Sequence, residues 1–185
     1  MSKIILDPQP REIKDIFSYS KKTTLYSSHH VIEFKGKDRH SFYSEQIEDA
    51  DFIIGQPDLD TSVIERSKKL KAIFNVEGNF LPNIDYRACN LKGIKILTPS
   101  SVFAVPVAEL AIGMMISLAR GIHTAHRDFL NGKELYGLDG NTDSELITGT
   151  EVGFIGFGDL GKAIYSLIKS FRPTIRVFDP WLTSS

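Results

Sequence analysis

Short apolar runs alternate with polar or amphipathic segments through the first half of the chain. Runs of this length are typical of buried strands in a layered sheet. Helical patterns lie between the later runs: Asp60 is a candidate N-cap of one helix, and Gly93 ends a second helix that begins near Asn83 or Asp85. Strands that alternate with helices in this way predict parallel crossovers, and therefore an α/β layer fold. The candidate strands are residues 3–6, 23–28, 31–36, 51–55, 71–76 and 94–97.

The pattern changes at residues 98–106, "TPSSVFAVP", where two prolines and two serines predict a connection between domains. A helix with little polar face is predicted from Val105 to Ile122, and we expect it to be buried between layers or subunits. An ordinary core helix is the better interpretation unless an interface is shown. A long surface loop, rich in glycine and aspartate, is predicted at 132–150. This organisation predicts one domain at 1–98 and another at 99–185.

A glycine motif follows the loop. The apolar run Val152–Ile155 predicts a buried strand that leads directly into Gly156, Gly158 and Gly161, and Asp179 ends a second strand after an intervening helix. In this spacing the first glycine permits a tight turn, the second lets a pyrophosphate approach the backbone, and the third lets helix and strand pack closely. The alternative is a glycine turn in a sheet that holds no ligand.

The same motif predicts how a dinucleotide would be held. Backbone N–H groups near Asp159 and Leu160, at the start of the helix, would face the phosphates. Asp179 could accept hydrogen bonds from both adenosine ribose hydroxyls and would repel a 2′-phosphate, so we expect NAD rather than NADP. Asp159 itself brings a negative charge beside the pyrophosphate, which costs attraction unless it points to solvent or pairs with Lys162.

Composition narrows the class of protein. The chain has 185 residues, 42% hydrophobic and 24% charged, and a net charge of −1, which indicates a folded globular protein with no general attraction to nucleic acid or to anionic membranes. Cys89 is the single cysteine, so we expect no disulfide framework and a cytoplasmic location. The N-terminus lacks a secretory pattern, and Glu109 and Arg120 are expected to interrupt the longest apolar stretch before it reaches membrane-spanning length.

Taken together, the chain resembles the N-terminal portion of the D-isomer-specific 2-hydroxyacid dehydrogenases. The resemblance implies a flavodoxin-like substrate domain, a hinge near 99–105, and the first half of a Rossmann-type domain that binds NAD in the cleft between the two. It also implies oxidoreduction of a 2-hydroxy or 2-keto acid, and a homodimer formed through the domain with the long apolar helix. The segments that carry it are 70–85, 106–122, 132–137 and 149–181.

Site residues on the substrate side are implied by this resemblance alone. The loop from Val76 to Phe80 would offer backbone N–H groups to the substrate carboxylate, which makes Gly78 and Asn79 the candidates. Pro180 would line the adenine pocket beside the ribose acid. The chain departs from the family pattern at Leu81-Pro82, which includes one inserted residue, and at Phe103, where many members have a polar residue.

The family's arginine, glutamate and histidine all lie downstream of the ribose acid, so we expect no catalytic residue in this chain and no turnover by it alone. We also expect an unfinished sheet to leave apolar strand edge exposed. His123 and His126 are spaced to share a helix face, but a metal site there would need another ligand, so no metal is expected. One alternative function is a non-catalytic nucleotide-binding or protein-interaction module of the same fold. Another alternative is an unfolded or aggregating chain with no function, which a non-cooperative thermal melt would support.

Overall fold

The computed structural model describes residues 1–183 and contains two compact units, which divide between Pro99 and Ser100. The first unit is an α/β layer structure around a five-stranded parallel sheet in the order β2-β1-β3-β4-β5. This is the order of flavodoxin-like folds, so the predicted fold class is confirmed. The strands are β1 (Lys3–Asp7), β2 (His30–Glu33), β3 (Phe52–Gly55), β4 (Ala72–Phe74) and β5 (Lys95–Leu97), and the helices are α1 (Ile13–Ile16), α2 (Tyr19–Ser28), α3 (Arg39–Gln46), α4 (Thr61–Arg66) and α5 (Tyr86–Leu91).

The main apolar cluster of this unit lies on one face of the sheet. Ile5, Ile53 and Ile73 are in register on neighbouring strands and are fully buried. Side chains from the helices and from the segments beside them cover these residues, and this apolar burial is the main stabilising contribution to the unit. The covering residues include Tyr43, Ile47, Val63, Ile64, Ala88 and Cys89.

Aspartate side chains cap three of these helices, α3, α4 and α5. The Asp60 carboxylate accepts a hydrogen bond from the Val63 N–H at the start of α4, as predicted. At the start of α5 the cap is Asp85 rather than Asn83, and it accepts from the Ala88 N–H. Gly93 follows α5 with φ of +71°, a left-handed conformation that favours glycine.

The strand predicted at 23–28 is wrong, because these residues lie in α2. Thr23 and Thr24 have strand propensity, but their hydroxyls donate to the carbonyls of Tyr19 and Ser20, one helical turn earlier, at 3.0 Å each. None of the residues of α2 is buried, so no apolar face decides the conformation. Strand propensity is therefore a poor guide to the conformation of this exposed segment.

The second unit contains a parallel β-α-β arrangement. Strands β6 (Glu151–Ile155) and β7 (Thr174–Phe178) pair in register from Glu151 and Thr174 to Ile155 and Phe178. Helix α8 (Asp159–Ile168) connects them, and α6 (Ser100–Ala119) and α7 (Ile122–Leu130) precede them. The predicted loop at 132–150 is confirmed, apart from a short 3-10 turn at Asp139–Asn141.

Helix α6 corrects the sequence prediction at its start. The connection predicted at 98–106 is largely helical, because α6 begins at Ser100 and contains Pro106. Proline has no N–H, so it removes one hydrogen bond from the first part of the helix, but the residues on either side remain helical. The helix ends at Ala119 rather than Ile122, and Gly121, with φ of +63°, separates it from α7.

The apolar surface of α6 also corrects a prediction. By length and composition, Ser100–Ala119 could cross a membrane. The expected interruption of the apolar stretch is therefore wrong: Glu109 lies within the helix, and Arg120 lies beyond its end. Only 11% of the most apolar 18-residue stretch of this helix is buried. A single helix of this kind is weak evidence for a membrane span, because helices that pack against other protein have the same composition.

Candidate functional site

A tight turn joins β6 to α8 at the glycine motif. Gly156 has φ of +87°, a conformation that side chains disfavour. Its N–H donates to the Phe178 carbonyl at 2.7 Å, which ties the turn to the end of β7. The two strands therefore end together, as the spacing of the motif requires.

The other two glycines differ in their surroundings. A Cβ at Gly161 would lie 3.0 Å from the Gly156 carbonyl oxygen and 3.3 Å from the Phe157 ring, so the start of α8 packs directly on the turn. A Cβ at Gly158 would meet nothing within 4 Å. Gly158 is the N-cap of α8 and supplies no side chain to the first-turn N–H groups, including those of Asp159 and Leu160, which leaves this helix end open to an anion.

Phe157 anchors the turn, and sequence reasoning missed it. Its ring packs edge-on between Phe154 and Tyr165, with centroids 5.4 and 5.9 Å away. Its N–H donates to the Asp179 carboxylate (Oδ2) at 2.7 Å. An aromatic residue between the first two glycines, following an apolar strand, is the signal that could have indicated this anchor.

Asp179 lies at the end of β7 and is held by the backbone. Oδ2 accepts from the Phe157 N–H and Oδ1 accepts from the Trp181 N–H at 2.9 Å. These two bonds, with a smaller contribution from the charge of Lys162, lower the pKa of Asp179 below its ordinary value of 3.8. Each carboxylate oxygen keeps one further acceptor position, so two hydroxyl groups can still be bound. Pro180 follows directly and is exposed.

Asp159 makes neither of the contacts considered from the sequence. Its carboxylate (Oδ2) accepts a hydrogen bond from the Ser100 hydroxyl at 2.7 Å, and among residues 1–183 no ion pair joins it to Lys162. Ser100 is the first residue of α6. The contact spans 59 positions in the sequence, and no local pattern indicates it.

The geometry of this unit fits an adenine dinucleotide. An open helix end for phosphates, a turn with room at Gly158, and a carboxylate tied to that turn are the features that such a ligand requires. The predicted residues Gly156, Gly158, Asp159, Leu160, Gly161, Asp179 and Pro180 are all brought to the turn or the adjoining strand end.

The candidate substrate loop lies in the first unit, after β4. The Glu77 carboxylate forms a two-point ion pair with Arg11, with Nε–Oε1 3.0 Å and Nη2–Oε2 3.3 Å. The backbone N–H of Glu77 donates a hydrogen bond to the side-chain oxygen of Gln56. The N–H groups of Gly78 and Asn79 donate to no acceptor within residues 1–183. The loop is therefore held at Glu77 and keeps two donors available.

His123 does not form part of a metal site in the described chain. One ring nitrogen lies 3.3 Å from the Ser117 carbonyl, and the other lies 3.2 Å from the Thr124 hydroxyl. Over residues 1–183, no group of three histidine, cysteine or acidic side chains is placed to hold a metal ion.

Comparison with known proteins identifies relatives of both units. Residues 112–185 match the family model described as "D-isomer specific 2-hydroxyacid dehydrogenase, NAD binding domain". A hydroxypyruvate reductase from Thermotoga maritima is 39% identical over 119 residues, which are 64% of this chain and 37% of that protein.

Solved structures extend the similarity to the whole fold. A phosphoglycerate oxidoreductase from Rhizobium etli superposes with a TM-score of 0.76 at 40% identity, over 99% of this chain and 56% of that one. A 3-phosphoglycerate dehydrogenase from Entamoeba histolytica, solved with NAD⁺ bound, has a TM-score of 0.63 at 27% identity, over 99% and 55% of the respective chains. The chain thus spans about half the length of these solved relatives.

Proposed function

Because this chain is related to the D-isomer-specific 2-hydroxyacid dehydrogenases through its NAD-binding domain, we propose that it is part of an NAD-dependent oxidoreductase of 2-hydroxy or 2-keto acids. Its own residues supply the pyrophosphate and adenosine part of the cofactor site. The hydrogen bond between the Phe157 N–H and Asp179 carries this proposal, because it fixes the ribose acid to the glycine turn. We propose that the protein acts in the cytoplasm, since its single cysteine, Cys89, is a free, buried thiol.

The residues of the second unit bind and orient the cofactor. The first-turn N–H groups of α8, including those of Asp159 and Leu160, hold the pyrophosphate, and Asp179 accepts from both ribose hydroxyls. The ionised Asp179 would repel a 2′-phosphate, which selects NAD over NADP. When bound, NAD supplies the hydride chemistry, and these residues contribute binding and orientation.

The loop after β4 positions the substrate in this proposal. Gly78 and Asn79 offer backbone N–H groups to the substrate carboxylate, and Arg11 compensates the charge of Glu77 beside them. Reduction of a 2-keto acid also needs a cation that polarises the carbonyl and a general acid. None of the hydrogen bonds described for residues 1–183 links a histidine to Asp179 or to this loop. We propose that the 185-residue chain binds NAD but does not turn over alone.

Calorimetric titration of the 185-residue chain tests this proposal. We expect saturable binding of NADH, at least about tenfold weaker binding of NADPH because of repulsion at Asp179, and no oxidation of NADH with pyruvate, glyoxylate or hydroxypyruvate. Binding of neither dinucleotide by a chain that melts cooperatively contradicts the proposed cofactor site. Measurable turnover contradicts the proposal that catalytic groups are missing.

The second candidate is a non-catalytic module of the same fold that binds nucleotide or protein. The observation that favours it is the exposed apolar surface of α6, where Leu110 is 64% and Leu118 is 73% exposed. Turnover of a 2-keto acid by the chain would exclude this candidate as well.

We further propose that α6 joins two copies of the chain in a homodimer. Leu110, Met114 and Leu118 follow one another at intervals of four residues, so they share one stripe of the helix, and they are 64%, 63% and 73% exposed. A contiguous apolar stripe of this kind on a folded unit marks an interface.

Substitution on the stripe tests the dimer. Leu110→Glu should weaken self-association at least about tenfold, because it would bury an unpaired charge. Light scattering after size-exclusion chromatography measures the mass, and Leu135→Glu, at an exposed apolar residue in the loop, is the control. A wild-type chain that is monomeric at all accessible concentrations contradicts this proposal.

A further inference from the structure

The Asp159 carboxylate lies where the N-terminal ends of two helices meet. Asp159 is the first residue of α8, and its Oδ2 accepts from the hydroxyl of Ser100, the first residue of α6. The 2.7 Å distance is typical of a hydroxyl that donates to an ionised carboxylate. The positive end of the 20-residue helix α6 also favours a negative charge at this position. The bond to Ser100 therefore favours one orientation of the exposed Asp159 carboxylate, close to the start of α8.

No cation of this unit is in direct contact with the Asp159 carboxylate in the described residues. The charge of Lys162, the nearest candidate in the sequence, contributes to the lowered pKa of Asp179. A ligand that approaches α8 therefore meets both the helix end and a full negative charge.

Distance makes this charge relevant to phosphate binding. An anion that accepts a hydrogen bond from the Asp159 N–H lies closer to the carboxylate of the same residue than the screening length, which is about 8 Å at physiological ionic strength. Salt therefore reduces the repulsion without removing it. The attraction from the α8 N-terminus and the repulsion from Asp159 are of similar size at such distances.

We propose that Asp159, held in place by Ser100, limits the affinity of the site for pyrophosphate and so speeds the release of the dinucleotide. The inference rests on the proposed NAD site and adds a residue that opposes binding there. The glycine turn and Asp179 bind the dinucleotide, and repulsion between Asp159 and the phosphates reduces the free energy of that binding. Release of the product cofactor limits turnover in many enzymes, which is where such a residue acts.

Removal of the charge at constant shape tests the inference. Asp159→Asn keeps an oxygen that can accept from Ser100, and it should tighten NADH and ADP about fivefold while leaving adenosine, which has no phosphate, unchanged. The increase in affinity should be smaller at high salt, and stopped-flow measurements should show that it comes from a slower dissociation rate. Ser100→Ala should act in the same direction but less, because the released carboxylate can then turn towards solvent.

The matched control is Asp143→Asn, which makes the same charge change in the loop of the same unit. It should leave all three affinities unchanged, and equal melting temperatures for the three variants and the wild type establish that folding is intact. Binding of NADH by Asp159→Asn at or below wild-type affinity overturns the inference and leaves the proposed function standing. A wild-type chain that binds neither NADH nor adenosine overturns the proposed function, and the inference with it.

Discussion

Asp179→Ala should weaken NADH binding about a hundredfold, because the site loses a charged acceptor for both ribose hydroxyls, and hydrogen bonds to charged groups contribute about 1.5–3 kcal/mol each. The same substitution leaves the N–H groups of Phe157 and Trp181 without their acceptor, because the carboxylate accepts hydrogen bonds from them at 2.7 and 2.9 Å. The turn then loses one of its two links to the end of β7 and keeps the bond from the Gly156 N–H to the Phe178 carbonyl, so the loss of order at the turn adds only a little to the effect. Isothermal titration of both chains with NADH measures the effect.

Two further measurements separate the ribose contact from general damage to the turn. Asp179→Ala should reduce the preference for NADH over NADPH, since the repulsion of a 2′-phosphate disappears with the charge. Adenosine binding should fall with NADH binding, whereas thermal unfolding should change little. Wild-type NADH affinity in Asp179→Ala would mean that the glycine motif holds no ribose, and the cofactor assignment of these residues would fail.

The pH dependence of binding follows from the same contacts. The folded chain lowers the pKa of Asp179, so the carboxylate stays ionised down to a pH below 3.8, and its contribution is lost only as the pH falls through that lowered value. NAD⁺ affinity should therefore be flat between pH 8 and about pH 5. A decrease centred near neutral pH would indicate that another group controls binding.

The sheet of the first unit could be predicted because burial determines it. Its interior strand β1 contains a short apolar run, Ile4–Leu6, that is buried on both faces, as is typical of a strand inside a parallel sheet. The caps at Asp60 and Asp85 could be predicted because a carboxylate accepts from a backbone N–H three residues later, within a local turn. Interactions of this range are visible in the sequence.

The errors arose where no apolar pattern determined the conformation. Residues 23–28 bury no side chain, so strand propensity was a poor guide. At 98–106 the prolines and serines suggested a connection, yet Pro106 is accommodated inside α6. In both places a helix forms although the residue types favour another conformation.

In the candidate site, too, local features could be predicted and contacts between distant residues could not. The turn at Gly156 and the close packing at Gly161 follow from the spacing of the motif, because a β-α-β unit constrains both. The contacts that refine the site join residues far apart in sequence: Ser100 and Asp159 are 59 positions apart, and Arg11 and Glu77 are 66 apart. A single sequence carries no signal for such pairs.

Arg39→Met should destabilise the first unit by about 3–5 kcal/mol, because it leaves a buried carboxylate without its partner. Asp7, at the end of β1, has no exposed surface and is bound by Arg39 at two points, Nε–Oδ2 2.8 Å and Nη2–Oδ1 3.1 Å. The Tyr43 hydroxyl donates to the same carboxylate at 3.3 Å, and burial together with the Asp7 charge raises the pKa of Tyr43. Neither neighbour nor solvent can replace the guanidinium at this position.

Urea unfolding of the chain measures this loss, and Lys68→Met is the matched control. Lys68 pairs with Glu48 on the surface, so its removal should cost less than about 1 kcal/mol. Adding Asp7→Asn to Arg39→Met should recover part of the stability, since it removes the stranded charge.

Loss of the ion pair between Arg39 and Asp7 should also destabilise the substrate loop within the same unit. The Asp7 carbonyl accepts from the Gln56 N–H at 3.2 Å, and the Gln56 side chain accepts from the Glu77 N–H at 3.3 Å. Amide exchange at Glu77 should therefore rise in Arg39→Met but not in Lys68→Met. Equal stability of Arg39→Met and Lys68→Met would show that Asp7 does not depend on Arg39, and the buried pair would then contribute no more than a surface one.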